Sequence, residues 1–319
     1  MNRTRRFSVA ALALAAAAPA AFGQAAAWPH RPIRWLVPFA TGGATDIFSR
    51  LAAEQLSAAL RQPVVVENVT GAAGAVGLDR LARSAPDGYT LGTIPNSLQT
   101  MMPYVSESPL PYDTMKSFTP IGGFASFQYA LVVSSASPIK SLQELIDIGR
   151  TQPGKITFGT TGTGTGNHLA TALISERTGA RFTYVPYKGA SQSVVDLMGG
   201  HIDLIVDIVG GVHELIREGK LRALATTGAQ RHPLLPQVPP VAEVIPGYDH
   251  GGWFGLYGPA GLPQEIVARL NSELQRIQRS PEFVASLQKL GYAPMFGTAA
   301  DLAQRQRREY EQWGPILKK

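Results

Sequence analysis

The chain has 319 residues, 45% of them apolar and only 16% charged, which is enough to bury one large core or two ordinary ones and excludes an intrinsically disordered chain. The formal net charge is +6, but the basic residues are scattered rather than arranged in a stripe, which excludes a nucleic-acid-binding surface. The absence of cysteine excludes disulfides, thiolate metal sites and cysteine nucleophiles.

The first residues have the pattern of an export signal. Three arginines fall within the first six residues, an apolar stretch covers residues 9–20, and small residues offer cleavage after Ala25 or Ala27. The stretch is too short to anchor the chain in a membrane, and it has no cysteine for a lipid. We therefore expect residues 1–27 to be a signal peptide and the mature chain to be periplasmic and soluble. The alternative is an apolar N-terminal helix of the fold.

Apolar runs of strand length alternate with helical stripes along the rest of the chain, which predicts an α/β fold. In the first third, strands are predicted at residues 33–38, 64–66 and 91–94. One helix is predicted from Asp46 onward, and a second helix is predicted to end at Arg83.

The middle of the chain repeats this alternation. Strands are predicted at residues 131–133, 156–158, 183–185, 202–206 and 221–225. Helices are predicted at residues 141–150, 167–178, 191–198 and 212–218, the first of them starting with a capping box, Ser141 to Glu144. After an irregular Pro-rich connection over 231–246, a strand at 253–257, a helix from Pro263 and a last helix over 299–313 complete the prediction.

Two loops of the same design join a predicted strand to a predicted helix. They are PFATGGATD at 38–46 and GTTGTGTGNH at 159–168. Glycine allows the backbone to approach a ligand closely, and a helix start offers unpaired N–H groups and a positive dipole end. The alternative for each loop is an ordinary turn in which Thr45 or Thr165 caps the helix. Two such loops, one in each half of the chain, favour a ligand held between two lobes.

These loops and two further strand ends supply the candidate ligand-binding residues. They are Phe39, Gly42, Gly43, Ala44, Thr45, Asp46, Asn96, Ser97, Thr161, Thr163, Thr165, His168 and Asp207. His168 is expected either to donate to the ligand or to hold its own loop. Asp207 does not attract an anion, so we expect it to orient a water or to bind an NH or OH of the ligand, unless it pairs with backbone donors or with Lys188.

Motifs of enzymes are absent from the sequence. The Thr-Gly repeat fails the dinucleotide pattern G-x-G-x-x-G because residue 167 is Asn, and neither a Walker loop nor a G-x-S-x-G elbow is present. None of the six histidines lies in a metal-binding motif. No catalytic residue, cofactor or metal is therefore predicted, and the chain is expected not to be an enzyme. The alternative is an exported hydrolase or lyase with the same two-lobe shape.

A series of short motifs occurs in a distinctive order. It includes VPFATGGATD at 37–46, VVVENVTGAAG at 64–74, APDGYTL at 85–91, TGTGTGNHLA at 161–170 and WFGLYGPAGLP at 253–263. In this series the chain resembles the substrate-binding proteins of tripartite tricarboxylate transporters, the TctC or Bug receptor family. The resemblance implies a type II-like periplasmic binding fold of two lobes, each a mixed sheet flanked by helices. Residues 28–130 and 251–319 would form lobe one, and residues 131–250 lobe two.

The resemblance also implies the function. A small carboxylate, such as a di- or tricarboxylate, an amino acid or an aromatic acid, would be enclosed in the cleft, with residues 39–46 holding one end and residues 160–168 the other. A large and a small membrane subunit would be the partners of a monomeric receptor. The family usually has Ser where Thr165 stands, and residues 94–105 fit its pattern loosely, so the identity of the ligand stays open. A sensor subunit without a transport role is the second alternative.

Overall fold

The computed structural model describes residues 28–106 and 108–317, so the predicted signal peptide lies outside the described residues. The strands are β1 (Ile33–Val37), β2 (Val64–Asn68), β3 (Thr90–Pro95), β4 (Phe118–Ser134), β5 (Thr157–Thr160), β6 (Thr183–Pro186), β7 (Leu204–Ile208), β8 (Leu221–Thr226), β9 (Gly251–Pro259) and β10 (Tyr292–Pro294). The helices are α1 (Ala44–Leu60), α2 (Ala75–Ala82), α3 (Asn96–Thr100), α4 (Met102–Val105), α5 (Leu142–Thr151), α6 (Gly166–Thr178), α7 (Ala190–Met198), α8 (Val209–Arg217), α9 (Gln264–Gln278), α10 (Pro281–Lys289) and α11 (Ala299–Leu317).

Within the described residues the strands form one continuous mixed sheet in the order β2-β1-β3-β9-β4-β7-β5-β6, with β8 and β10 also paired to β4. One end of this order, β2-β1-β3, is parallel, and so is the other end, β6-β5-β7. The antiparallel strands β9 and β4 lie between them. The sheet therefore has two parallel halves, as expected for an α/β fold of two lobes.

The long strand β4 connects the two halves. Its residues 118–128 pair with β9, and its residues 129–134 pair with β7 and β8. We call the part that contains β1, β2, β3, β9 and β10 lobe one, and the part that contains β5 to β8 lobe two. The pairing of β4 changes from β9 to β7 at Gln128–Tyr129, and β9 begins at Gly251, directly after His250; we call these two places the crossovers.

Strand β4 is much longer than the sequence predicted, which was residues 131–133 only. Gly122, Gly123 and Pro120 interrupt the apolar alternation that identifies a strand, and the pairing with β9 shifts register at two places in this stretch. A Cβ at Gly123 would lie 2.6 Å from the Met295 methyl carbon, so close packing explains this glycine. Long-range pairing, rather than local propensity, forms the first part of β4.

An aromatic cluster in lobe one fixes the start of α1 against the sheet. Phe48 stacks on Phe124 at 4.8 Å and on Phe254 at 5.1 Å between ring centroids, and all three rings are buried. Burial of each such side chain contributes about 1.5–3 kcal/mol, and each stacked pair about 0.5–1.5 kcal/mol. Because Phe48 lies in the second turn of α1, the cluster also holds the loop that precedes this helix.

The ends of the parallel strands position the site. β1 and β3 of lobe one, and β5 and β7 of lobe two, end on the facing edges of the two lobes, and each is followed by a helix, namely α1, α3, α6 and α8. Ligands of open parallel sheets bind at these carboxyl ends. The helix starts of both lobes therefore lie around one cleft.

Candidate ligand-binding site

A cavity of about 50 Å³ lies where the helix starts of the two lobes meet. One water needs roughly 10–15 Å³ of such space, so the cavity holds about four waters or one small organic acid. Eight of the predicted residues line it, namely Phe39, Gly43, Ala44, Thr45, Ser97, Thr161, Thr165 and Asp207. Five others do not, namely Gly42, Asp46, Asn96, Thr163 and His168. Tyr129, Gly166, Asn167 and Ala190 also line the cavity, although none of them was among the candidate residues.

The loop before α1 presents backbone donors to the cavity. Gly43 occupies the N-cap position with an extended backbone, and no side chain of the described chain caps the helix there. Gly42 has a φ of +82°, a left-handed conformation that glycine adopts without strain. The first N–H groups of α1 are thus free of a side-chain acceptor, and the positive end of the helix dipole faces the cavity.

Asp46 holds this loop from below rather than lining the cavity. Its Oδ2 accepts from the Gly42 N–H at 2.9 Å, and its Oδ1 accepts from Asn68 Nδ2 at 2.9 Å and pairs with Arg50 at 3.0 Å. Asn68 Nδ2 also donates to the Phe39 carbonyl oxygen at 2.8 Å. Burial alone would raise the pKa of Asp46, but these hydrogen bonds and the Arg50 charge outweigh burial and lower the pKa. Asp46 therefore acts as an ionised clamp on the loop.

Asn167 organises the loop before α6. Its Oδ1 accepts from the His168 N–H at 2.8 Å, from the Thr165 hydroxyl at 2.5 Å and from the Thr161 hydroxyl at 3.1 Å. Because the His168 N–H can only donate, the oxygen of the amide faces the loop and its Nδ2 points away. No described residue accepts a hydrogen bond from Nδ2, and Asn167 lines the cavity.

Thr165 stands at the N-cap position of α6, yet its hydroxyl does not accept from the helix. It contacts the Gly162 carbonyl oxygen at 2.6 Å as well as Asn167. The cap of the first turn is supplied by Asn167 instead. The sequence contains a signal for this role of Asn167, since Asn is a common capping and turn residue at a helix start.

His168 holds its own loop. Its Nδ1 accepts from the Gly164 N–H at 3.3 Å, and its ring lies 4.8 Å from the Tyr184 ring. Burial lowers the pKa of His168 to about 4, so the imidazole is neutral at pH 7. Of the two roles expected for this residue, the geometry supports the holding role. Thr163, in the same loop, is exposed.

Of the two ligand-binding residues predicted at the start of α3, Asn96 and Ser97, one lines the cavity. Ser97 lines the cavity together with Pro95. The side chain of Asn96 points elsewhere, where its Nδ2 donates to Glu309 at 3.3 Å and its Oδ1 accepts from the Trp253 N–H at 3.3 Å. Asn96 lines a separate cavity of about 820 Å³ at the crossover strands.

Asp207 is the one ionisable carboxyl group on the cavity wall among the described residues. It is 7% exposed, and its Oδ1 accepts from the Ile208 N–H at 2.8 Å. Burial raises its pKa to about 7, and no Lys or Arg of the described chain, Lys188 included, forms an ion pair with it. Of the alternatives weighed for Asp207, the backbone donor is present and the pair with Lys188 is not.

The described residues contain no group of three or more His, Cys, Asp or Glu placed to hold a metal ion. Within the same residues, no helix combines the length and the apolar character needed to cross a membrane.

The family model of the tripartite tricarboxylate transporter family receptor matches residues 48–319. The chain belongs to this receptor family. The receptor is 34% identical to the protein BugT of Bordetella pertussis over 319 residues, covering 100% of this chain and 98% of BugT. The predictions of a two-lobe fold and of a binding protein rather than an enzyme are confirmed.

Two solved structures are also similar to this chain. The receptor is similar to Rpa4515 of R. palustris, solved with adipate, with a TM-score of 0.87 and 32% identity over 91% of this chain and 97% of that chain. It is similar to MatC of Rhodopseudomonas palustris, solved with bound malate, with a TM-score of 0.87 and 28% identity over 91% of this chain and 100% of that chain. The receptor thus shares its fold with these two proteins over 91% of its length.

Proposed function

We propose that the receptor encloses a small carboxylate between the starts of α1 and α6 and delivers it to a tripartite transporter. The observation that carries the proposal is that these two helix starts, from different lobes, line the same cavity. Similar proteins were solved with adipate and with malate, both of them dicarboxylates.

Recognition relies on dipoles rather than on cations. No Lys, Arg or His lines the cavity among the described residues. A carboxylate there receives hydrogen bonds from the free N–H groups of α1 and from Asn167 Nδ2, in a space that excludes bulk water. Charge-assisted hydrogen bonds are worth about 1.5–3 kcal/mol each, so four to six of them, less the cost of closure, correspond to a Kd of about micromolar, roughly 8 kcal/mol.

Binding closes the cleft by a rigid-body rotation of two lobes, residues 28–130 with 251–319 and residues 131–250. The two crossovers lie side by side, since the Thr227 N–H donates to the Tyr129 carbonyl oxygen and the His250 N–H donates to the Thr227 carbonyl oxygen. Such adjacent crossovers absorb a rotation with few backbone changes. Gly189 and Ala40 come together across the cleft, as do Gly162 and Ala73, and these contacts support the proposal of a closed arrangement.

Two threonines of one loop test the binding role. Thr165 is buried on the cavity wall and Thr163 is exposed. We expect Thr165→Ala to weaken the binding of malate or adipate about tenfold, because one hydrogen bond that orients Asn167 is lost. Thr163→Ala is the control and keeps the affinity. Wild-type affinity in Thr165→Ala, measured by isothermal titration calorimetry, would remove the second loop from the site.

Export and delivery complete the proposal. The receptor acts as a periplasmic monomer after removal of residues 1–27, and a large and a small membrane subunit take the ligand from it. Cell fractionation with N-terminal sequencing tests the export, and uptake of radiolabelled ligand in cells that lack the receptor tests the delivery. Unchanged uptake together with a lost transcriptional response would favour the sensor role instead.

A further inference from the structure

We infer that the ligand carries a hydrogen-bond donor, a hydroxyl or an ammonium group close to one carboxylate, and that Asp207 accepts from it. This inference rests on the proposed function and names the substrate class of that site. Neither a plain dicarboxylate nor an aromatic acid without such a substituent satisfies Asp207.

The first argument is that Asp207 lacks donors. A carboxylate offers about four sites for hydrogen bonds, and the described chain fills one of them, through the Ile208 N–H. The carboxyl group is nevertheless enclosed in the wall of the ligand cavity. An enclosed acceptor without donors costs free energy, and a ligand that supplies a donor recovers it.

The second argument comes from the groups that surround Asp207. Tyr129 on β4 and Tyr292 on β10 are the titratable groups that face it; burial, and after it the charge of Asp207, raises the pKa of both. The Tyr292 hydroxyl donates to the Ala44 carbonyl oxygen at 2.9 Å and is thus engaged. The Tyr129 hydroxyl has no described acceptor and lies at the start of α6, where a Cβ added at Gly166 would overlap it. The neighbours therefore supply no cation that would neutralise Asp207.

The third argument sets the position of the donor on the ligand. A Cβ at Gly211 would lie 3.0 Å from Asp207 Oδ2 and 3.5 Å from the Ala44 Cβ. Asp207 and the first residue of α1 thus border the same small region, although they belong to different lobes. A carboxylate held at the start of α1 places substituents on the adjacent carbons against Asp207. Short 2-hydroxy and 2-amino acids have this arrangement.

The same placement gives selectivity. A site whose polar group needs a partner rejects a ligand that lacks one, because desolvation then leaves the group unpaired. Malate and succinate differ by one hydroxyl, and aspartate and succinate differ by one ammonium. We expect malate or aspartate, or both, to bind at least tenfold more tightly than succinate.

The test is a calorimetric comparison of malate, aspartate and succinate on the wild-type receptor, on Asp207→Ala and on Thr163→Ala. In Asp207→Ala the ratio of affinities between the substituted acids and succinate falls towards one, whereas Thr163→Ala keeps the wild-type ratio. Asp207→Asn separates the two donors, since the neutral amide still accepts from a hydroxyl but no longer pairs with an ammonium charge. Thermal unfolding of each variant checks that it folds.

Two results would contradict the inference. Equal affinity of the wild type for succinate and for both substituted acids overturns it and leaves the proposed function intact. An unchanged ratio in a folded Asp207→Ala variant also overturns it. Absence of binding for every carboxylate would instead defeat the proposed function.

Discussion

The imidazole Nε2 of His250 lies 2.9 Å from the carbonyl oxygen of Gly166. Because a carbonyl only accepts, Nε2 carries the proton, and Nδ1 is a buried acceptor with no partner among residues 28–106 and 108–317. His250 ends the return crossover between the lobes, and Gly166 begins α6, whose start lines the ligand cavity. The ring also stacks on Tyr129 at 5.6 Å, so one side chain contacts the outgoing crossover, the returning crossover and the ligand helix.

This relationship predicts a coupling between the hinge and the ligand loop. We expect His250→Ala to lower the free energy of unfolding by about 1–3 kcal/mol and to weaken ligand binding, because the start of α6 loses its contact with the crossover. His250→Gln, which keeps a donor, should recover part of both. Urea unfolding and calorimetry measure the two effects, and equal behaviour of the Ala and Gln variants would assign the effect to packing alone.

The buried histidines predict a loss of stability in acid. Burial lowers the pKa of His168 to about 4 and lowers the pKa values of His232 and His250, whereas unfolded histidine titrates near 6.5. Below about pH 6.5 the unfolded chain binds more protons than the folded one, so the free energy of unfolding falls as the pH falls, by up to about 3 kcal/mol for His168.

Asp207 has the opposite effect on stability. Because its pKa is raised to about 7, its contribution to the free energy of unfolding declines as the pH rises from about 4 to 7. We expect the three histidines to outweigh it. Urea unfolding from pH 8 to pH 5 measures the slope. His168→Gln should reduce the slope. A flat profile in the wild type would contradict the prediction.

We expect closure of the two lobes to depend on the absence of a side chain at Gly189. Its backbone is extended, with a φ of −173°, so alanine is not strained there, but a Cβ would lie 2.8 Å from the Ala40 Cβ of the other lobe. We expect Gly189→Ala to raise the Kd about tenfold without loss of thermal stability. Adding Ala40→Gly removes the opposing methyl group and should restore the affinity. Failure of this second change to restore binding would show that the first one acts within lobe two.

The hydrogen bonds and the ion pair of Asp46 predict that removing its charge destabilises the fold. Asp46→Asn should lower the free energy of unfolding by about 1–3 kcal/mol at pH 7, because one amide cannot accept from the Gly42, Asn68 and Arg50 donors together. The lowered pKa means that this stabilisation is present above about pH 4 and is lost in stronger acid.

Asp79→Asn is the matched control for that variant. Asp79 also pairs with an arginine four residues later, Arg83, but on the exposed surface. Exposed pairs of this kind contribute about 0–1 kcal/mol. Urea unfolding should therefore separate the two variants, and similar losses in both would mean that the clamp is no stronger than a surface ion pair.

Much of the fold could be predicted because the information is local. The apolar stripe of α1, which includes Phe48, Leu56 and Leu60, is buried in the structure, and Ser141 caps α5 as its capping box indicates. The first part of β4 and the strand β10 were missed because they owe their form to partners far along the chain. Helix α10 was missed although its start is local, with the Ser280 side chain accepting from the Phe283 N–H and Pro281 in the first turn.

For the site, the sequence by itself determined which residue types stand at the helix starts, and with them an anion-binding chemistry and a family of receptors. Only the tertiary structure decided which of those residues share a cavity. It placed Thr165 on the wall and Thr163 outside, turned Asn96 away, and made Asn167 the organiser of its loop. The physical reason is that side chains which meet in the cavity come from elements more than a hundred residues apart, as Asp207 and the first residue of α1 do. A local sequence pattern contains no information on which distant elements pack together.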